Sequence, residues 1–384
     1  MADGAPSLPL FGPPARMGVK DVEGYSVSPT VSIITLFLAV SYLAMAVAPS
    51  PYVFATMTNL CYLAAGFWRE AVSAADRHTA SLLVGQMAGG ALVLVFMGAS
   101  SFAFHRESTM SSPAHTLDIV FGWVLVSHVF YVTLSVALLA AVKAGSAKRA
   151  TRPLRAVRSA LSVGFLVFVT LLMTLYDDFY QGQTTFYLAA GPAAAVFGGI
   201  CRGILVYEEG KLQWPAVGLA AFELVVALTA VFAAIVCQGE LLGRTLSRAT
   251  TPEEYDFYHG QWHFLLALVV GLLYSRAADA ARIVQGTHRV CVCSLPTLDW
   301  VGEALILVYA GLCLAFKEGQ VDVDAAKGAL GAVAVLFVLH GAATLLVWAF
   351  GDAPPPPPAP RAGYKELKAA FRPALTMRAR GIRR

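Results

Sequence analysis

Charged side chains are scarce in this chain. Asp, Glu, Lys and Arg make up 14% of its 384 residues, and 57% are hydrophobic. A soluble globular protein carries roughly 25% charged residues, so the deficit excludes an ordinary water-soluble domain. Cysteine is sparse as well. Cys61, Cys201, Cys237, Cys291, Cys293 and Cys313 show no disulfide framework, and Cys61, Cys201 and Cys313 sit in apolar runs as small core residues. Cys291 and Cys293 are one residue apart, tighter than the spacing of a zinc knuckle. No short apolar stretch precedes a small-residue cleavage site, so no cleavable signal peptide is expected; the opening residues are polar and rich in Gly and Pro. No solenoid-type repeat is present. The formal charge of +4 does not imply a nucleic-acid partner, because the basic residues fall between and after apolar runs.

Those apolar runs dominate what is there. Stretches of about 20 apolar residues read as spanning helices, and the expected fold is an all-α membrane protein of about ten spans. They run over Val31–Ala48, Tyr52–Trp68, Ser81–Ser101, Leu117–Val142, Ala160–Tyr176, Thr184–Val206, Pro215–Val236, Phe257–Tyr274, Leu298–Phe316 and Ala326–Phe350. Loop charge orients them. Lys143, Lys148, Arg149, Arg152, Arg155 and Arg158 crowd one connection, and Arg69, Arg77, Lys211, Arg276, Arg282 and Arg289 share its face. The crowded face is expected to be cytoplasmic, which places both termini there. After the last span, Pro354–Pro358 begins a stiff linker. The basic tail beyond it is either a disordered orienting segment or an amphipathic helix over Tyr364–Leu375 on the anionic leaflet.

Polar residues at the ends of these spans carry the chemistry. Ser101 and His105 close the third predicted helix, Asp118 begins the fourth, and His259 and His263 begin the eighth. Alternation of the spans puts all five on the non-cytoplasmic side. Residues four apart share a helix face, so Ser101 with His105, and His259 with His263, point the same way. Three imidazoles with an open fourth position are what a catalytic zinc ion requires. Asp118 suits a proton shuttle and Ser101 a donor to an oxyanion. Asp118 as a helix cap, and Ser100 in place of Ser101, are the competing assignments. His78, His128 and His340 lack such company and read as structural, and His115 and His288 as loop residues without a role. Glu223 lies in mid-span in the seventh predicted helix and Arg202 near the inner end of the sixth. They read as an ion pair, or Glu223 as the lining of a lipid chamber. Asp177 and Asp178 read as a solvated turn or as cation ligands.

The motifs Gly98-Ala-Ser-Ser101-Phe-Ala-Phe-His105, Leu117-Asp118 and His259-Gly-Gln-Trp-His263 resemble the signature of the alkaline ceramidase and progestin/adiponectin receptor superfamily. That grouping shares a Ser-x-x-x-His, a downstream Asp and a late His-x-x-x-His. Ser-Phe-Ala-Phe-His looks closest to the ceramidase side, and Thr58-Asn59-Leu60 is similar to the Ser-Asn-Leu of ceramidases. The resemblance covers roughly residues 52–278 and implies a seven-helix zinc hydrolase core. It makes His105, His259 and His263 the ligands, Asp118 the proton shuttle and Ser101 the oxyanion donor. The acidic calcium-binding segment of alkaline ceramidases is missing, and Ala48-Pro-Ser-Pro-Tyr52 stands in its place, so calcium regulation is not implied. The interval from His105 to Asp118 is also longer than in ceramidases.

The chain thus divides into a polar segment (1–29), an extra transmembrane helix (30–50), the seven-helix core (51–278), two extra helices (279–352), and the Pro-rich linker with its basic cytoplasmic tail (353–384). The expected activity is zinc-dependent hydrolysis of a membrane lipid amide, a ceramide-like sphingolipid, to a fatty acid and an amine. The alternatives are a receptor-like or structural membrane protein that keeps zinc as a staple, and a transporter using Glu223 and Arg202. The last predicts inverted repeats, and none is evident.

Overall fold

The computed structural model describes residues 27–48, 52–77, 84–107, 112–143, 214–238, 251–285, 296–319 and 321–350, with the isolated positions 164 and 167. These residues form α-helices and no strand. In chain order they are α1 (Val27–Val47), α2 (Val53–Thr58), α3 (Leu60–Arg77), α4 (Val84–Glu107), α5 (Pro113–Lys143), α6 (Trp214–Gln238), α7 (Pro252–Gln285), α8 (Pro296–Glu318) and α9 (Val323–Phe350). Apart from positions 164 and 167, the spans expected at 160–176 and 184–206 lie outside the described residues, as do Arg202, Asp177 and Asp178.

Local chemistry sets the helix starts. Ser112 caps α5: its hydroxyl accepts the His115 amide at 3.2 Å. Pro113 follows at the first helical position, where its missing N–H costs nothing. The start therefore lies earlier than hydropathy suggests. Asp118 falls in the second turn rather than at the beginning, and His115 belongs to the first turn of a helix, not to a loop. Thr251 caps α7 in the same way, its hydroxyl accepting the Glu254 amide at 3.1 Å. Pro252 follows, with Glu253 and Glu254 in the first turn, where acids favour the positive end of the helix dipole. Asp322 caps α9 through the Asp324 and Ala325 amides.

The span expected over Tyr52–Trp68 is two helices, because the chain breaks at Asn59 between α2 and α3. Tyr52 precedes α2 at φ 74°, a left-handed conformation that L-residues seldom adopt, and it gives the helix no side-chain cap.

Five helical stretches among the described residues are long and apolar enough to cross a membrane: Pro29–Val47, Pro113–Ser135, Ala221–Gln238, Leu298–Glu318 and Val323–Val347. Between 33% and 39% of each is buried. The remainder leaves Leu43, Leu339, Leu345 and Leu346 on an apolar outer surface suited to lipid. Val53–Trp68 forms a shorter apolar stretch. Helix α7 is the axis of the bundle: α1, α2, α3, α5 and α6 all pack on it. Its 34 residues extend roughly 50 Å, well beyond a hydrocarbon core of about 30 Å. Buried aromatic rings seal its first turns. Phe257 packs on Phe54 at 5.3 Å between centroids, and Phe54 on Tyr42 at 5.0 Å.

Candidate metal centre

At one end of the bundle α4 finishes while α2, α5 and α7 begin. Four segments distant in sequence therefore deliver side chains to one level. Gly98 makes the approach of α4 possible. A Cβ there would meet Tyr62 Cβ at 2.9 Å and the Asn59 carbonyl at 3.0 Å, so only glycine lets the last turns of α4 lie against the α2–α3 junction.

Those last turns carry Ser101 and His105, and α7 carries His259 and His263. The ring centroids lie 4.9 Å apart for His105–His259, 4.8 Å for His105–His263 and 4.7 Å for His259–His263. One nitrogen from each ring lies within 4.8 Å of the other two, and the three residues make a group that could hold a metal ion. Ring nitrogens about 2.0–2.1 Å from a tetrahedral zinc would sit about 3.4 Å apart. His105 and His263 are buried, at 7% and 2% exposure.

The tautomers follow from what the other nitrogens touch. His263 Nδ1 lies 3.1 Å from the Ala55 carbonyl oxygen, and His259 Nδ1 lies 3.3 Å from the Gln238 carbonyl oxygen. A carbonyl only accepts, so each Nδ1 must carry the proton. Each Nε2 lone pair is then left for a cation. Ligating histidines are held this way by their surroundings, which fix both ring orientation and tautomer. Thr58 Oγ1 adds a second contact to His263 Nδ1 at 3.4 Å.

Asp118 and Ser101 stand beside this group and not in it. The Ser101 hydroxyl lies within reach of the Asp118 carboxyl, and Ser101 is fully buried. Ser100, the competing choice, spends its hydroxyl on its own helix, donating to Phe96 O at 2.9 Å and Met97 O at 3.1 Å. Asn59 is buried with its amide donating to Ala55 O at 2.8 Å. Three buried oxygens here, Asp118 Oδ1, Asn59 Oδ1 and Ser101 Oγ, have no hydrogen bond of good geometry among the described residues. Buried acceptors are normally satisfied, so this end of the bundle has the character of a site that takes a polar ligand, water or ion. The donor set fits a metal that prefers imidazole.

The other polar candidates lie elsewhere. Glu223 sits half-buried in mid-helix on α6 and does not join the histidine group. His340 is structural: its Nε2 donates to Leu298 O at 2.9 Å while Nδ1 faces Ser32 Oγ at 3.4 Å. His128 Nδ1 meets the Tyr274 hydroxyl at 2.7 Å. His115, in contrast, is buried at the site end with its ring 4.4 Å from that of Phe104. Its sequence signal was the Ser112-Pro113 helix start, which puts His115 in the first turn.

In comparison with known proteins, no family model, no curated protein and no solved structure matches the chain.

Proposed function

We propose that the chain is a zinc-dependent membrane hydrolase that cleaves a lipid amide, a ceramide-like sphingolipid, into a fatty acid and an amine. The reading rests on a seven-helix core over residues 51–278, with one helix before it and two after. One observation carries it: three imidazoles converge with two of their Nδ1 atoms already bound to carbonyls, and among the described residues no carboxylate belongs to the group. A structural zinc usually has four protein ligands, whereas a catalytic one has three. The composition therefore favours turnover over a receptor-like or purely structural role.

His105, His259 and His263 would hold the ion. When bound, zinc supplies positive charge next to the substrate carbonyl and a water acidic enough to react near neutral pH. Asp118 accepts a proton during attack and returns it to the departing amine. Ser101 donates its hydroxyl to the carbonyl oxygen as negative charge develops there. The apolar outer surface lets a lipid approach from within the bilayer, and the site lies at the non-cytoplasmic end in the orientation set by loop charge.

The test is hydrolysis of a mixed sphingolipid pool by the purified chain, with and without chelator. Fatty acid is expected to appear, to stop on chelation, and to return on adding zinc. His105→Ala and His263→Ala should abolish both bound zinc and hydrolysis. Equal turnover in those variants would reject the reading.

A further inference from the structure

Helix α2 is an anomaly: it begins from a strained residue, has no cap of its own and yet supplies the carbonyl that holds His263. Its missing cap comes from another helix. Asp256 Oδ1 accepts the Ala55 amide at 3.0 Å, and Oδ2 accepts the Phe54 amide at 3.2 Å. The carboxylate is buried, 6% exposed, although an acid at a helix start is ordinarily solvated. Asp256, Gly260 and His263 fall at i, i+4 and i+7 on α7 and so form one stripe. Gly260 brings that stripe against α2, since a Cβ there would lie 2.4 Å from Phe54 Cδ1 and 3.2 Å from Thr58 Oγ1. The stripe thus grips the start of α2 at its upper end and receives the Ala55 carbonyl at its lower end.

We propose that Asp256 is a positioning residue for the metal centre: by capping α2 from α7 it fixes the Ala55 carbonyl, and the Ala55 carbonyl sets the rotation and tautomer of His263. Asp256 commits both carboxylate oxygens to α2 amides, so its effect passes through one residue, Ala55. The amide of Ala55 binds the carboxylate and its carbonyl binds the imidazole.

This inference rests on the metal-centre reading above. Its test uses the full chain in detergent, with zinc affinity measured by chelator competition and the visible spectrum of the cobalt(II)-loaded protein as the coordination signature. Asp256→Ala is expected to weaken zinc about 10- to 100-fold, the usual effect of losing a ligand's support, and to change the cobalt spectrum. Asp256→Asn keeps one of the two acceptors and should fall between Asp256→Ala and wild type. Leu330→Ala, a core change on α9, should lower the melting temperature while leaving affinity and spectrum as in wild type. The proposal is overturned if Asp256→Ala keeps wild-type affinity and spectrum, or weakens zinc no more than Leu330→Ala does. Failure of the metal reading is distinct: wild type and His263→Ala would then take up equal zinc. In that case ¹⁵N-histidine NMR decides, with His263 protonated at Nδ1 in wild type and losing that state in Asp256→Ala. An unchanged ring in the variant overturns the proposal.

Discussion

A histidine's role in this chain is decided by which of its nitrogens the protein has already engaged. His340 has a partner at each nitrogen and ties α9 to α1 and α8. His259 and His263 each give Nδ1 to a carbonyl and turn Nε2 toward a shared centre. The spacing of the pair was legible in the sequence; the carbonyls that orient it were not, because a backbone group carries no residue-specific signal. The same logic separates the two serines, since Ser100 is committed to its own helix. Ser101→Ala is therefore expected to keep bound zinc while lowering kcat by roughly 10²- to 10³-fold, the usual effect of removing an oxyanion donor. Ser100→Ala should leave kcat near wild type. Steady-state kinetics with metal analysis on both variants checks the assignment, and equal effects would contradict it.

At the scale of elements, the short helix α2 is where reading from hydropathy stops short. Its apolar residues run on into α3, so the span looks continuous, and the break at Asn59 leaves no hydropathy trace. Asp256 is equally hidden, since nothing in sequence separates it from Glu253 and Glu254, which pair with Lys327 and Lys317. The close approach of α2 to α7 gives a sharp test. Replacing a helix-interior glycine by alanine ordinarily stabilises by about 1 kcal/mol. At Gly260 the new methyl meets the ring of Phe54, which is fully buried and cannot yield. Overpacking of this kind costs about 1–3 kcal/mol, so Gly260→Ala should be net destabilising. Denaturant unfolding in detergent reads the sign, and a gain in stability would mean that α2 shifts freely.

On the scale of the whole molecule, α1 and α8 acquire a physical role. Gln261 lies between the two α7 histidines in sequence, and its side chain bonds α1 and α8. The Tyr309 hydroxyl donates to its carbonyl oxygen at 2.5 Å, and its amide donates to the Tyr42 hydroxyl at 3.3 Å. Lys317 of α8 adds an ion pair to Glu254 at 2.8 Å, its own side chain only 2% exposed. Helices α1 and α8 therefore brace the back of the helix that presents His259 and His263. Tyr309→Phe leaves the Gln261 oxygen without its buried donor, which costs about 1–3 kcal/mol. The variant should unfold earlier yet retain zinc, as thermal melting with metal analysis would register. The helical, multi-span character was readable because apolar length is a local property. The bracing was not, because it depends on which helices become neighbours.

Zinc K-edge X-ray absorption on the purified chain tests the central claim most directly. The account predicts one equivalent of zinc with three imidazole nitrogens and one light, exchangeable oxygen near 2.0 Å, and loss of the imidazole shell in His263→Ala. A protein purified without stoichiometric metal despite added zinc, or a spectrum lacking imidazole scattering, would contradict it.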